Sequence, residues 1–265
     1  MNDFTFNKDK YLRRINLSKK ISVNFECLKA IHHAQHTAIA FENFDICLGR
    51  SIHLEPESIF QKLVNQKRGG YCFELNGLLL LALKAFKFEA RPLLARVHLS
   101  GEPGGKSHQT LLVTLNDKRW IVDAGFGTES PPTPIPLTYN QPITFGNQTY
   151  RLIESKLFGY MLQSKPDDNW KNLYSFHLSH VFDIDIKFGN HFTSTSPDSF
   201  FTNARMAALP IKEGMLTLHN YKLKKVVNGK EELILLKNDP SYLVVLDKEF
   251  GITLDADYNN LKHVE

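Results

Sequence analysis

The sequence predicts an α+β protein built from several subdomains. Apolar residues recur at helical spacing through roughly the first third of the chain. Short apolar segments separated by turn residues follow, and the last part mixes a hairpin with a segment of undecided type. Helices first, strands next and a mixed tail are typical of the α+β class. The 265 residues exceed the commonest domain size, which allows two or three units.

Four helices are predicted in the first third. Pro56 suits the first turn of the third helix, and Glu57 lies where the helix dipole favours an acid. The fourth helix follows from the apolar run over 75–83, which has Asn76 and Gly77 inside it, and we expect it to end near 86–88. The first three helices are predicted over residues 9–15, 22–39 and 56–64.

The middle of the chain is predicted to be rich in strands. Its segments are short, apolar and partly β-branched or aromatic, and Gly, Pro, Asn and Asp separate them. We expect a long loop over 130–148, where Pro, Thr and Asn are frequent. The predicted strands cover residues 91–99, 109–115, 120–124, 150–154, 159–164 and 173–178.

The tail contains one strong turn signal. Asn228-Gly229 between residues 222–227 and 231–236 predicts a two-residue β-hairpin. The final segment, 241–254, fits either a strand or a helix by pattern alone.

Composition excludes several classes of function. The hydrophobic share of 42% and the charged share of 23% are ordinary for a soluble globular protein. The net charge of +4 is modest, and Lys222-Leu223-Lys224-Lys225 alternates with apolar residues as on a solvated strand, so we expect no nucleic-acid partner. No apolar stretch reaches about 18 residues, so we expect no membrane-spanning helix.

Cysteine usage and the N-terminus bear on the compartment. Three widely spaced cysteines fit a reducing environment and no disulfide framework. Cys27 and Cys47 lie among apolar neighbours and are expected to pack as small hydrophobes. Residues 1–5 have neither the basic nor the apolar region of a secretory signal. We therefore expect a cytoplasmic protein.

The segment Arg68-Gly69-Gly70-Tyr71-Cys72-Phe73-Glu74 carries the most chemistry. It places Cys72 at the first turn of the fourth helix, where free N–H groups and the helix dipole favour a thiolate. The paired glycines are expected to allow a sharp turn and to leave room for a molecule to approach the sulfur. Arg68 and Glu74 are expected to tie this loop together by a buried ion pair.

A nucleophilic thiolate needs a base and a group that orients the base. His108 opens a predicted strand, and Asp123 ends the next one. Fifteen residues separate them, which leaves room for a strand, a turn at 116–118 and a second strand. Adjacent strands would bring the imidazole and the carboxylate together, and a strand-end aspartate needs such a partner if it is buried.

A second histidine group lies in the predicted helix over 22–39. His32, His33 and His36 include an i, i+4 pair, a spacing that can bind a metal ion on one helix face. A third ligand is not evident from the sequence, and a solvated helix face is the favoured interpretation. We predict no metal site.

The chain resembles an arylamine N-acetyltransferase. The match rests on the Cys72 motif, on His108 followed by an apolar strand, and on Asp123-Ala124-Gly125-Phe126-Gly127. Three outlying stretches support it: Tyr11-Leu12-Arg13-Arg14-Ile15, Ala40-Phe41-Glu42-Asn43-Phe44 and Asn190-His191-Phe192-Thr193-Ser194-Thr195-Ser196-Pro197.

The resemblance implies a three-part architecture with a core like that of cysteine proteases. A helical bundle over 1–88 would carry Cys72, a β-barrel over 89–188 would carry His108 and Asp123, and an α/β lid would cover 189–265. It also implies ping-pong transfer of an acetyl group from acetyl-CoA, through a Cys72 thioester, to an aromatic amine or hydrazine. His108 would pair with the thiolate, and Asp123 would orient His108.

The resemblance also suggests binding residues. Phe41, Tyr71 and Phe201 would line the acceptor site, with core packing as the alternative. Gly125, Phe126 and Gly127 would lie beside the CoA arm. The implied partners are small aromatic amines or hydrazines, with no nucleic acid and no membrane, and the protein would be a monomer or a weak homo-oligomer.

Two other functions stay open at this stage. A cysteine hydrolase or transamidase of the peptidase or transglutaminase kind uses the same order of catalytic residues. A binding protein that retains the scaffold without turnover is the third alternative. Indifference to CoA would mark the former, and an ordinary thiol would mark the latter.

Overall fold

A computed structural model describes residues 4–146, 148–166 and 168–264. Residues 1–3, on which the expectation about a secretory signal partly rests, lie outside the described residues. Within the described ranges, no helix combines the length and the apolar character needed to cross a membrane.

The predicted N-terminal helices are present, with bounds close to those expected. Asn7 accepts a hydrogen bond from the Lys10 amide (2.9 Å) and Asn24 accepts one from Cys27 (2.8 Å), so asparagine caps begin the first two helices. The helix that begins at Pro56 continues through a π-helical turn over Gln61–Asn65. The helices of this part are α1 (Lys8–Arg14), α2 (Phe25–Ala38), α3 (Phe44–Cys47), α4 (Pro56–Phe60) and α5 (Cys72–Ala85).

An eight-stranded antiparallel sheet forms the middle of the molecule. Tyr139 bridges to Leu152, and the Asn140 amide donates to the Leu152 carbonyl (2.7 Å), which draws the two ends of the sheet together into a nearly closed barrel. The strands, in chain order, are β2 (Glu89–Val97), β3 (His108–Leu115), β4 (Lys118–Val122), β5 (Ile135–Pro136), β6 (Ile143–Phe145), β7 (Gln148–Ser155), β8 (Gly159–Lys165) and β9 (Lys171–Phe176), and they are ordered β5-β4-β3-β2-β9-β8-β7-β6 across the sheet.

A five-stranded sheet forms the last part, and its first strand comes from the N-terminal third. The hairpin at Asn228-Gly229 is confirmed, with both residues at positive φ (51° and 74°) as a type I′ turn requires. The helices here are α6 (Asp183–Thr195) and α7 (Ser241–Val245). The sheet is ordered β1 (Phe41–Glu42), β10 (Met206–Ile211), β11 (Gly214–His219), β12 (Lys222–Val227) and β13 (Lys230–Leu235).

The α+β class with helices, barrel and a final α/β part is confirmed. The division at residues 88 and 188 stays a prediction, and two features cross it: β1 pairs with β10, and α6 spans residue 188. The segment 130–148 was expected to be a loop but contains β5 and β6. The undecided segment 241–254 begins as α7 and continues as a π-helical turn over Leu246–Phe250.

Helix α6 is absent from the sequence-based prediction. Its apolar residues Ile184, Phe188 and Phe192 recur at every fourth position, but they lie on the exposed side of the helix. Gly189 and the β-branched residues near the C-terminus weaken the local helical propensity. The Gly189 backbone packs tightly instead, since a side chain there would lie 2.9 Å from the Phe73 ring.

Arg14 joins three parts of the helical bundle, and we predict a large loss of stability without it. Its guanidinium donates to the carbonyls of Ala38 (2.7 Å), the last residue of α2, and of Leu63 (2.8 Å), in the π-helical turn after α4. Arg14→Leu would leave these acceptors unpaired and should lower the free energy of unfolding by about 3 kcal/mol in urea titrations. The exposed neighbour supplies the control, since Arg13→Leu should change it by less than about 0.5 kcal/mol. Equal effects of the two substitutions would contradict the bonding role.

Candidate active site

Cys72 is the first residue of α5, as the sequence predicts. Its side chain is almost fully buried, and Sγ lies 3.7 Å from the Ser107 carbonyl oxygen, next to His108 in sequence. Glu74 accepts a hydrogen bond from the backbone N–H of the N-cap residue Tyr71 (3.2 Å), which closes the first turn. The cysteine is therefore held at a helix start in the interior of the protein.

The loop before Cys72 is fixed by ion pairs, but not by the expected one. Arg68 binds Glu42 (2.8 Å) and Asp45 (3.2 Å), while Lys62 binds Asp45 (2.6 Å) and Glu74 (2.7 Å). The predicted pair between Arg68 and Glu74 is wrong, because each has a partner from another part of the chain. Burial works to raise the pKa of Asp45, but the two cations lower it.

The paired glycines serve packing rather than access. Neither Gly69 nor Gly70 has a positive φ. A Cβ on Gly69 would lie 2.3 Å from the Ala40 carbonyl oxygen, and one on Gly70 would lie 2.9 Å from Glu74 Cβ. The expectation that they leave room beside the sulfur is wrong, since their missing side chains let β1 and the start of α5 approach this loop.

His108 and Asp123 meet as the adjacent strands predict. The β3–β4 register pairs Leu111 with Val122, which places the start of β3 beside the residue after β4. His108 Nε2 lies 2.6 Å from Asp123 Oδ2, and both residues are buried. Nδ1 is thus the ring nitrogen left for the sulfur of Cys72.

The electrostatics favour a charged pair. Burial works to lower the pKa of His108, but attraction to the Asp123 carboxylate, together with hydrogen bonds to Asp123 and Cys72, raises it to about 10. For Asp123, burial works in the opposite sense, and the His108 cation with hydrogen bonds from Asn76 and Gly125 lowers the pKa. Imidazolium beside carboxylate is therefore the favoured state at neutral pH.

Asn76 is a site residue that the sequence analysis did not identify. Its Nδ2 donates to Asp123 Oδ1 (2.8 Å) and to the Gln109 carbonyl (2.6 Å), and its Oδ1 accepts from the Ala124 amide (3.0 Å). The signal was present, because Asn76 interrupts an apolar run one helical turn after Cys72. It connects α5 to the end of β4.

The predicted acceptor residues lie together beside the cysteine. The Phe201 ring centroid lies 6.1 Å from that of Phe41 and 5.8 Å from that of Tyr71. Tyr71 is fully buried, and its hydroxyl donates to Asn190 Oδ1 on α6. Phe41 and Phe201 are half-buried. Both packing and ligand contact are compatible with these positions.

The predicted CoA-binding residues lie beside His108 and close to Phe41, since a Cβ on Gly127 would lie 3.9 Å from the Phe41 ring. The Phe126 ring packs against His108 (4.7 Å between centroids), and Gly127 has a φ of 66°. A Cβ on Gly125 would lie 2.8 Å from Asn76 Nδ2 and 3.1 Å from Cys72 Cα. Packing alone therefore requires glycine at 125, and contact of these residues with CoA stays a prediction.

The histidines of α2 do not form a solvated face. His32 and His36 are buried, and burial lowers their pKa values to about 4 and about 3. His32 Nε2 lies 3.0 Å from the Asp123 carbonyl oxygen. The described parts of the chain contain no group of three or more His, Cys, Asp or Glu residues placed to hold a metal ion.

Two adjoining cavities open near Ser107, whose carbonyl oxygen lies 3.7 Å from Cys72 Sγ. The larger, about 470 Å³, reaches Ser107 and is bordered by Lys106, Phe188 and Phe192. The smaller, about 270 Å³, lies between Arg96 and Phe158. Lys106 and His177 line both cavities, so the two adjoin along one groove, with Phe188 and Phe192 in its larger part and Arg96 in its smaller part.

Known proteins resemble this chain over most of its length. The N-acetyltransferase family model matches residues 24–259. An arylamine N-acetyltransferase of Escherichia coli strain K12 is 34% identical over 249 residues, covering 92% of this chain and 88% of the relative.

Solved structures agree with the sequence match. The arylamine N-acetyltransferase of Salmonella typhimurium has a TM-score of 0.89 at 31% identity, covering 94% of this chain and 92% of that one. The Mycobacterium marinum arylamine N-acetyltransferase in complex with CoA has a TM-score of 0.90 at 31% identity, covering 97% of both chains. The fold, the family match and the identity over nearly the whole chain agree: this protein belongs to the arylamine N-acetyltransferase family of acyltransferases.

Proposed function

We propose that this protein transfers the acetyl group of acetyl-CoA to aromatic amines or hydrazines through a thioester on Cys72. The observation that carries the proposal is the buried arrangement of Cys72, His108 and Asp123 at the meeting point of α5, β3 and β4. Family membership supports acetyl transfer, and the relative with bound CoA supports acetyl-CoA as the donor.

The first half-reaction uses the cysteine as nucleophile and the histidine as acid. The Cys72 thiolate attacks the thioester carbonyl of acetyl-CoA, and the new C–S bond forms as the bond to the CoA sulfur breaks. His108 gives its proton to the departing sulfur, so CoA leaves as the thiol. The imidazolium beside Asp123 supplies that proton, because its raised pKa keeps it charged until the thiolate of CoA appears.

The second half-reaction reverses these roles. The acceptor nitrogen attacks the Cys72 thioester, neutral His108 takes a proton from that nitrogen, and Cys72 leaves as a thiolate. Asp123 stabilises the imidazolium each time it forms. A thioester suits this sequence because it stays reactive toward amines and divides one crowded encounter into two.

The surroundings of Cys72 support separate places for the two substrates. The half-buried rings of Phe41 and Phe201 can contact a flat acceptor, with Tyr71 packed behind Phe201, and such contacts contribute about 0.5–1.5 kcal/mol per pair. The groove that includes Ser107 suits the donor, because Lys106, which lines both of its parts, and Arg96 in its smaller part can meet phosphate groups. We also propose that the protein is a monomer or a weak homo-oligomer of the cytoplasm, where three free cysteines stay reduced.

Acetyl-CoA alone should acetylate the protein. We expect intact-mass analysis to show one added acetyl group, peptide mapping to place it on Cys72, and Cys72→Ala to abolish it without changing the thermal unfolding midpoint. Cys72 reacts because the His108 cation faces it, whereas Cys27 and Cys47 supply internal controls. An acyl-enzyme formed from a peptide or glutamine substrate, with no response to acetyl-CoA, would instead support a hydrolase or transamidase.

Asp123→Asn should reduce turnover while the cysteine remains in place. An amide has no charge to stabilise the imidazolium and can favour the wrong tautomer, so we expect kcat for arylamine acetylation to fall by about 10⁴. Asp117→Asn, in the exposed turn between β3 and β4, is the matched control and should keep wild-type kinetics. Unchanged kcat in Asp123→Asn would remove the orienting role of this carboxylate.

The reactivity of Cys72 should depend weakly on pH. Because the pKa of His108 is raised to about 10, its cation and the stability that this charge contributes persist through neutral pH and are lost as pH rises through that value. We expect iodoacetamide to label Cys72 at a near-constant rate from about pH 6 to about pH 9. In His108→Gln the rate should rise with pH through about 8.5, as for an ordinary thiol. An ordinary profile in the wild type would contradict the ion pair.

A further inference from the structure

We propose that His32 on α2 is a positioning residue for the reaction: its hydrogen bond to the backbone carbonyl of Asp123 fixes the aspartate beneath His108. The proposal rests on the proposed function, because it assigns a role within the same Cys72 site. His32 stands outside the site motifs in sequence and reaches the site only through the fold.

The geometry defines the direction of this hydrogen bond. His32 is fully buried, and its Nε2 lies 3.0 Å from the Asp123 carbonyl oxygen. A carbonyl oxygen only accepts, so Nε2 must carry the hydrogen. His32 therefore donates as a neutral imidazole, and the low pKa that burial gives it keeps it neutral throughout the working range of the enzyme.

The hydrogen bond from His32 reaches the backbone carbonyl of Asp123, which the contacts of the carboxylate do not use. The carboxylate binds His108, Asn76 and the Gly125 amide, and Asn76 also accepts from the Ala124 amide. These contacts fix the Asp123 side chain, and Asn76 of α5 also fixes the N–H group of the following peptide. His32 holds the carbonyl from α2, so rotation of the peptide after Asp123 is blocked from both sides.

Rotation of that peptide would affect catalysis directly. Asp123 lies one residue beyond β4, where the ladder no longer fixes the backbone. A shift of the backbone at this peptide would displace the Asp123 Cα and with it the carboxylate, whose hydrogen bond to His108 is 2.6 Å long. Displacements of about 1 Å in such a site can reduce rates by about 10². A neutral donor fits this role, since it restrains the backbone and leaves the charge of the carboxylate to His108.

A matched pair of substitutions isolates the donor. His32→Gln keeps an N–H group at a similar reach, whereas His32→Met has a similar length and no donor. We expect His32→Met to acetylate Cys72 about 10²-fold more slowly at saturating acetyl-CoA, with KM little changed, and His32→Gln to recover most of the rate. In His32→Met the near-constant range of Cys72 labelling by iodoacetamide should also end at lower pH, because a displaced Asp123 holds the proton of His108 less firmly.

The controls separate positioning from packing. His36→Met removes the second buried imidazole of α2, one turn away, and should keep the wild-type acetylation rate at a similar loss of stability. Urea titrations give the folded fraction of every variant, and His32→Asn, with a shorter donor, replaces His32→Met if the latter does not fold. Wild-type rates in His32→Met, or equal losses in His36→Met, would overturn the proposal.

Iodoacetamide labelling keeps this test independent of the proposed function. It reports the state of Cys72 and His108 without acetyl-CoA. If the wild type takes up no acetyl group, the proposed function fails, while the labelling profiles of His32→Met and His32→Gln still decide the role of His32. Identical profiles in these two variants and the wild type would contradict it.

Discussion

The site depends on the hydrogen-bonded pair of His108 and Asp123 inside the protein. Each ionised group alone would be expensive to bury, and burial opposes the charged form of both. The pair is stable inside the protein because two neutral donors satisfy the other carboxylate oxygen. These donors are the Asn76 side chain of α5 and the Gly125 amide in the turn after β4. The negative charge of Asp123 is thus stabilised by one cation and by two neutral N–H donors. Helix, strand and turn must all be in place before either ion is tolerated.

A second buried charge group performs a comparable task for the loop before Cys72. Arg68 and Lys62 bind three carboxylates that come from β1, α3 and α5. Removing one partner from such a group leaves another charge buried and unpaired, which is the costly event. Because Glu42 is also in the strand that pairs with β10, the loop that carries the nucleophile is joined to the C-terminal sheet. The position of Cys72 therefore depends on a part of the chain remote in sequence.

Sequence patterns predict the site best where its structure depends on residues that are close together along the chain. The apolar run after Cys72 indicates a helix, and the distance from His108 to Asp123 indicates neighbouring strands. Pairings between distant segments leave no such signal. The partners of Arg68 are 26 and 23 residues away, and both are closer in space than Glu74, which local spacing favoured. His32 was expected to face solvent, yet it is buried, and the Asp123 carbonyl just after β4 is the partner of its Nε2.

The nucleophile lies on α5 and its base on β3, so their contact is set by the surface between α5 and the barrel. Gly125 lies in that surface, 3.1 Å (measured from an added Cβ) from Cys72 Cα, and Asn76 crosses it with hydrogen bonds to Asp123 and Ala124. The glycine permits the close approach, and the asparagine fixes the lateral position. Any side chain at 125 would push the helix away from the barrel and carry Sγ away from the imidazole. The distance between the nucleophile and its base is therefore set by how closely these two packed elements can approach.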